Sequence, residues 1–445
     1  MADAYREIAA EAPPPDDSGE NSDTDRLRGH VRLPGAIALA VTIVVGSGAL
    51  VLPGLAYQKV DDAALLTWAA AAIFTVPLLL IFAKLGSTYP SAGGVAGFVQ
   101  AAFGRHLAAA VEVLLLGTFG LGIPGIALTG GNYLVALPGL GALPAQAGAA
   151  LLIVLAGGVV VLGVRMSTRV QVAFAIVLTV ALLAVGVLAT ASGAAVHHLP
   201  ALRIDTVSDG VKATGVVFFA FTGWEMLSFT TEEYANPRRD FPRAVVLSFA
   251  LVVVMYLLLA WGVQTRLPRD ATTELASPVQ ALVATFSPAA AHLVAALGVV
   301  IIAANLVGAI WGGSRLVMSS AREGLLPAPL ARLSPSGNPH RAVIACVTGF
   351  LLVIGANAVK LASLTGLLTI AGQNFFLLYL LCAIAYTRLF RAGRRAYGIA
   401  VTVVLGVIAV SAFGAAQFAY AAALTVIGVA ASVSRTSRRG VSSAS

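Results

Sequence analysis

Twelve apolar stretches, each about as long as a lipid bilayer is thick, constrain this chain more than anything else in it. They fall near residues 35–57, 63–84, 107–135, 145–164, 169–192, 211–231, 243–265, 288–313, 341–359, 362–387, 396–412 and 415–433. A helix of roughly 20 apolar residues crosses the hydrocarbon core. Lipid offers no water to an exposed main chain, so a spanning segment must hydrogen-bond within itself. Long continuous runs predict helices rather than the short alternating strands of a barrel. The bulk agrees: 58% of residues are hydrophobic and 11% charged, against about 25% charged in a soluble domain. The predicted class is an all-α membrane protein with about 12 transmembrane helices.

The net charge is +8, but the arginines interrupt apolar runs instead of lining one face. They predict membrane topology rather than a nucleic-acid partner. An even number of spans puts both termini on one side. If that side is the cytoplasm, 22 of the 28 Lys and Arg residues fall on cytoplasmic segments and 6 on the opposite side. Arg165 and Arg169, the Arg238, Arg239 and Arg243 cluster, and the Arg388, Arg391, Arg394 and Arg395 cluster all agree. Both termini are therefore expected in the cytoplasm, with the spans in the cell (plasma or inner) membrane. Residues 1–30 read as a disordered acidic tail, because the first 25 hold eight acidic residues, one arginine and Pro13-Pro14-Pro15. That is not the pattern of a cleavable signal peptide. Residues 435–445 form a basic tail at the other end.

Nothing in the chain calls for a cofactor or a metal. Cys346 and Cys382 each sit inside an apolar run and read as core filler. His197 and His198 are adjacent in an expected external loop, without a third ligand. Gly120, Gly122 and Gly125 satisfy G-x-G-x-x-G, yet they lie in a span with Pro124 and no preceding strand, so a nucleotide fingerprint is not expected.

Of the 20 acidic residues only Glu112 and Glu225 fall within spans. A charge at the centre of a spanning helix costs about 2.5–3.5 kcal/mol, so it persists where it has a task or a partner. Glu112 lies about a turn and a half inside its span, where its carboxylate is expected to reach headgroups or water. Glu225 is deeper. At about 1.5 Å per residue it lies roughly 20 Å from Lys212 and roughly 10 Å from Glu232. It is the preferred functional carboxylate.

Span one carries Gly46-Ser47-Gly48 about 18 Å from its start, and span six carries Thr222-Gly223 at similar depth. Glycine weakens helices and lets backbones approach closely. Close helix packing alone would explain either site. Together they suggest more, because five spans separate them and they cross the membrane in opposite directions. Paired interrupted helices in two inverted halves point to a transporter binding site. Half-helix N-termini suit a carboxylate and freed carbonyls suit an ammonium group or cation, so an amino acid zwitterion fits both. The connections after spans two and seven are both long, and each holds a helical stripe: Val95, Phe98, Val99 and Phe103 in one, Val279, Leu282, Val283 and Phe286 in the other. Such stripes fit either an inverted repeat or helices lying on the membrane surface. Asn305 and Asn374 are read as interhelical hydrogen-bonding groups rather than substrate contacts. Arg322 and Glu323 are candidates for a cytoplasmic gate.

Three stretches carry a family likeness: Gly46-Ser47-Gly48-Ala49-Leu50 with Pro53; Tyr89-Pro90-Ser91-Ala92-Gly93-Gly94; and Phe221-Thr222-Gly223-Trp224-Glu225, followed by Glu233 and Asn236-Pro237-Arg238-Arg239-Asp240-Phe241-Pro242-Arg243-Ala244. With these residues the chain resembles the amino acid, polyamine and organocation superfamily of permeases. The second and third stretches look most like the bacterial exporters of methionine and branched-chain amino acids. The resemblance implies a five-plus-five inverted-repeat core like that of the bacterial leucine transporter, with helices 1 and 6 broken. The first repeat would cover 31–195, the second 205–390, and two extra helices 394–434. It further implies that Ser47 and Gly48, with Gly46 and Ala49 beside them, receive the substrate carboxylate. Phe221, Thr222 and Gly223, with Trp224, would hold the amino group, Phe219 would be an aromatic gate, and Glu225 a coupling residue. The chain departs from some proton-coupled relatives in having no lysine in span five.

The function expected is alternating-access secondary transport of a neutral amino acid, outward, with a proton as coupling ion through Glu225. The expected partners are thus an amino acid, a proton and the lipid bilayer; the sequence leaves the oligomeric state open. A non-transporting receptor that binds an amino acid is the alternative, distinguished by binding without release in sealed vesicles. A membrane enzyme is disfavoured, since the spans hold no paired catalytic carboxylates and no nucleophile beside a base.

Overall fold

The apolar runs fold as helices, and every regular element among the described residues is helical. The computed structural model describes residues 33–89, 94–163, 168–191, 217–224, 236–268, 270, 275–334 and 337–442. The expected tail at 1–30, the His197 and His198 loop, and Glu225 lie outside the described residues. In chain order the helices are α1 (Leu33–Val44), α2 (Ser47–Leu50), α3 (Leu52–Val60), α4 (Ala64–Thr88), α5 (Gly94–Phe103), α6 (Arg105–Val135), α7 (Ala145–Val161) and α8 (Thr168–Ala191). A 3-10 turn at Phe219–Phe221 follows, then α9 (Pro237–Arg266), α10 (Pro278–Ala284), α11 (Pro288–Arg322), α12 (His340–Ala358), α13 (Leu364–Leu389), α14 (Ala392–Ala412) and α15 (Ala415–Ser442). Eight helical stretches among the described residues are long and apolar enough to cross a membrane, with shorter apolar helices beside them.

Helix α6 is the hub of the bundle, packing on α5, α7, α11, α13 and α15. Small residues allow these approaches: a Cβ on Gly131 would lie 2.0 Å from the Ala145 carbonyl oxygen of α7, and one on Gly428 of α15 would lie 2.6 Å from Cα of Ala110. Such close backbone contact is how helices associate where lipid removes the hydrophobic drive between them.

Two boundaries differ from those expected. The segment with Arg238, Arg239 and Arg243 is the first turns of α9, not a loop. Pro237 tolerates the first helical position because its missing N–H would have no partner there, and the Phe241 side chain anchors the turn. That ring is fully buried, 6.3 Å from Phe82 of α4, and a Cβ on Gly86 would come within 2.6 Å of it. Helix α11 runs on to Arg322, about two turns beyond the apolar run that announced it.

The stripes in the two long connections are α5 and α10, and both are built into the bundle rather than lying on its surface. Val95, Phe98 and Val99 are buried, as are Val279, Leu282 and Val283, whereas Phe286 is exposed. Helix α5 packs on α6 and α13, and α10 on α11 and α9. Near α10, Gln264 of α9 ties the turn before α4: its Oε1 accepts from the Leu65 N–H at 2.9 Å and its Nε2 donates to the Asp62 carbonyl at 3.0 Å.

Candidate functional site

Two helical paths lose their hydrogen-bond ladders in the interior. Helix α1 closes with the Val45 N–H on the Val41 carbonyl at 2.8 Å, and Gly46 then turns out of helical geometry (φ −127°, ψ −122°) before α2 restarts at Ser47. In the second path the 3-10 turn Phe219–Phe221 gives way to an extended Thr222 (φ −100°, ψ 174°) and to Gly223 at φ 109°. A side chain at Gly223 would be strained in that left-handed region. Thr222 caps its own turn, its hydroxyl donating to the Phe219 carbonyl at 2.8 Å.

The two breaks touch. A Cβ on Gly48 would lie 3.0 Å from Cα of Ala220 and 2.8 Å from the Tyr256 hydroxyl. Buried main-chain carbonyls need partners, and side chains from three other helices supply them. Tyr256 of α9 shares its hydroxyl proton between the Val44 and Ala220 carbonyls, each at 3.1 Å. Tyr133 of α6 donates to the Leu50 carbonyl at 2.7 Å. Asn305 of α11 donates to the Thr42 carbonyl at 3.4 Å and lies against Gly46, whose Cβ would fall 2.8 Å from its amide. Gly46 thus serves close packing and marks the break at once, while Gly48, inside α2, serves the approach of the second path.

The expected site residues separate into two groups. Ser47, Gly48 and Ala49 are buried at the first break, and Ala220 joins them from the second. Phe219 faces α6 and α13, with its ring 6.2 Å from Phe375 and 3.2 Å from a Cβ on Gly122. Two glycines of the G-x-G-x-x-G run therefore make room for side chains, Gly122 for Phe219 and Gly125 for Leu368, while Gly120 faces open space. Phe221 points the other way, into Trp68 (5.8 Å), Tyr256 (5.5 Å) and Phe249 (6.0 Å). Trp224 joins that cluster at 6.0 Å from Phe249, fully buried, with no hydrogen-bond partner for its indole N–H among the described residues. Glu225, the preferred carboxylate, is outside the described residues, so its surroundings carry no argument here.

Two expectations about polar groups at depth change, those for Glu112 and Asn374. Glu112 does not reach headgroups or water; it is 8% exposed and accepts a hydrogen bond from Ser320 of α11 at 2.9 Å. Its helix rotates it toward α11, and burial there needs a donor. Asn305 makes the interhelical bond expected of it, whereas Asn374 of α13 is fully buried with both amide atoms unpartnered among the described residues. Tyr133 and Tyr256 were not singled out in the sequence. The available signal was a lone hydroxyl in the midst of an apolar run, Val253-Val254-Met255-Tyr256-Leu257 in the second case, where a buried tyrosine needs an acceptor. Among the described residues no group of His, Cys, Asp and Glu could hold a metal, and Cys346 and Cys382 are buried in the core without a disulfide between them.

The sequence model of the amino acid permease family matches residues 32–437. The chain belongs to that family. It is similar to an uncharacterized amino acid permease, YecA, of Bacillus subtilis (27% identical, covering 81% of this chain and 85% of the relative). It is similar also to the L-methionine/branched-chain amino acid exporter YjeH of Escherichia coli (30%, covering 83% and 88%). A human relative is the large neutral amino acids transporter small subunit 2 (27%, covering 78% and 69%). A member of this permease family is an integral membrane transporter and not an enzyme, and the apolar helices of this chain accord with that.

Proposed function

We propose that this permease moves a neutral amino acid of the methionine and branched-chain class outward across the cell membrane by alternating access, with both termini in the cytoplasm. The carrying observation is the contact of the two interruptions, Gly48 against Ala220, with one hydroxyl, that of Tyr256, bridging them. Broken helices meeting in a bilayer offer fixed partial charges of both signs, which suits a zwitterion better than any singly charged solute. The start of α2, around Ser47 and Gly48, would take the carboxylate, and the turn at Phe221 to Gly223 the amino group. Phe219 would close over the bound molecule, and Glu225 would carry the coupling proton.

Two further observations support a pair of inverted five-helix repeats at 31–195 and 205–390, followed by two extra helices. The broken path of α1 to α3 and the break at Thr222 and Gly223 stand in corresponding positions, as do the buried connection helices α5 and α10. The exporter among the relatives supports the direction and the substrate class.

The test is counterflow in liposomes containing the purified protein, screening the amino acids with and without a pH gradient. Exchange of leucine and methionine without a gradient, and net flux of both driven by it, are expected. Binding of these amino acids without any exchange would overturn the transport reading.

A further inference from the structure

We propose that Glu112 and Ser320 form a proton-exchanging latch between α6 and α11, a second carboxylate in the membrane that serves gradient-driven transport alongside Glu225. This rests on the transport reading above and deepens it. The Glu112 Oε2 and the Ser320 Oγ lie 2.9 Å apart between residues 208 positions apart in the chain, and Ser320 is fully buried. A carboxylate rarely survives inside a membrane protein without a partner or a task, and here the recorded partner is a hydroxyl rather than a cation.

That choice of partner has a chemical consequence. A guanidinium can only donate, so it would hold the carboxylate in one proton state. A hydroxyl donates to a carboxylate and accepts from a carboxylic acid. The contact between α6 and α11 therefore persists in both states with its direction reversed, so Glu112 can gain and lose a proton without leaving either helix unpartnered.

Ser320 also lies in the last turn of α11. Its carbonyl accepts from the N–H groups of Leu325 at 2.8 Å and Leu326 at 3.3 Å, and Gly324 turns the chain at φ 68°. A change at Glu112 is thus delivered to the residue around which α11 enters its following loop. Charged groups lie on several elements packed against this stretch. Helix α11 brings Arg315, stacked 3.7 Å over Trp311, then Arg322 and the carboxylate of Glu323, which acts electrostatically on Glu112. Helix α15 carries Arg435, Arg438 and Arg439, whose side chains lie outside the described ones. Helix α12 brings His340 and Arg341, with His340 engaged by the Val161 carbonyl at 3.0 Å. Arg388 of α13 stacks 5.3 Å over Phe103. On α6 itself are Arg105 and His106, the latter 2.9 Å from the Ser432 hydroxyl. Helices α5 and α7 carry no charge.

The experiment compares wild type, Glu112→Gln and Ser320→Ala in liposomes, measuring leucine counterflow at equal pH and leucine flux driven by a pH gradient. Glu112→Gln is expected to keep counterflow within about threefold of wild type and to lose roughly tenfold of the gradient-driven rate, because exchange needs no net proton movement while driven flux does. Ser320→Ala is expected to keep both activities and to move the pH at which driven flux is half-maximal. Gradient-driven flux in Glu112→Gln equal to wild type overturns the proposal. Should that variant fail to fold, an unchanged pH profile in Ser320→Ala overturns it instead. Absent counterflow in wild type refutes the transport reading and this proposal with it, a result distinct from either variant's failure.

Discussion

The hydroxyl of Tyr256 stands 3.1 Å from the carbonyl oxygen of Ala220, and its proton is shared with the Val44 carbonyl at the same distance. One side chain on α9 thereby sets the spacing of two interruptions that lie 176 residues apart, the difference between positions 220 and 44. Tyr256→Phe keeps the ring packing against Trp68 and Phe221 and removes only the bridge. The Val44 carbonyl keeps the Gly46 N–H at 3.1 Å, while the Ala220 carbonyl loses this donor, at a cost of about 1–3 kcal/mol for a buried acceptor left unsatisfied. The expected outcome is folded protein with a lowered thermal unfolding midpoint and leucine exchange reduced roughly tenfold or more. Wild-type exchange in this variant would show that the bridge has no part in transport.

The two glycines of the first break should differ in tolerance. At Gly48 an added methyl meets the Ala220 main chain at 3.0 Å, which cannot move without displacing the second break. At Gly46 it meets the end of the Asn305 side chain, which can turn aside. Gly48→Ala is therefore expected to abolish counterflow, and Gly46→Ala to retain part of it. Equal loss in both, measured at matched protein levels, would contradict the packing argument.

The contact of Gly86 with the Phe241 ring tests the fold rather than the site. A methyl at Gly86 would overlap the ring at 2.6 Å, where α4 holds the start of α9. Overpacking of this kind costs about 1–3 kcal/mol, so Gly86→Ala should lower the unfolding midpoint in detergent. Pairing it with Phe241→Leu, which opens the space, should recover part of the loss. An unchanged midpoint in Gly86→Ala would argue that α9 starts elsewhere.

Glu225→Gln removes the proposed coupling proton and leaves a side chain of the same size. Counterflow should persist, and the stimulation of flux by a pH gradient should fall roughly tenfold. If the gradient drives this variant as it drives wild type, Glu225 has no coupling role.

Much of the helical framework was legible because a bilayer makes simple demands. A run of about 20 apolar residues that must satisfy its own main chain has one economical answer, and the apolar runs among the described residues fold accordingly. Gly46 and Gly223 were legible as places where a helix comes apart, since glycine costs a helix about 1 kcal/mol and releases the backbone, whereas Gly48 lies inside α2. The family likeness was legible in the short stretches around them.

What lay beyond the sequence is which helix answers each break. Hydropathy reports whether a residue prefers lipid, not the rotation of its helix or the partner across the contact. That is why the sequence places Glu112, about a turn and a half inside its apolar run, at water while the structure buries it on Ser320, and why it gives Tyr133 and Tyr256 no role. Their partners, the carbonyls of Leu50, Val44 and Ala220, became acceptors only when the helices lost their ladders. The sequence by itself determined that this chain spans a membrane in helices and where two of them are weak. Only the tertiary structure decided that those weak points meet, because that depends on distances between segments far apart in the chain, which no local preference encodes.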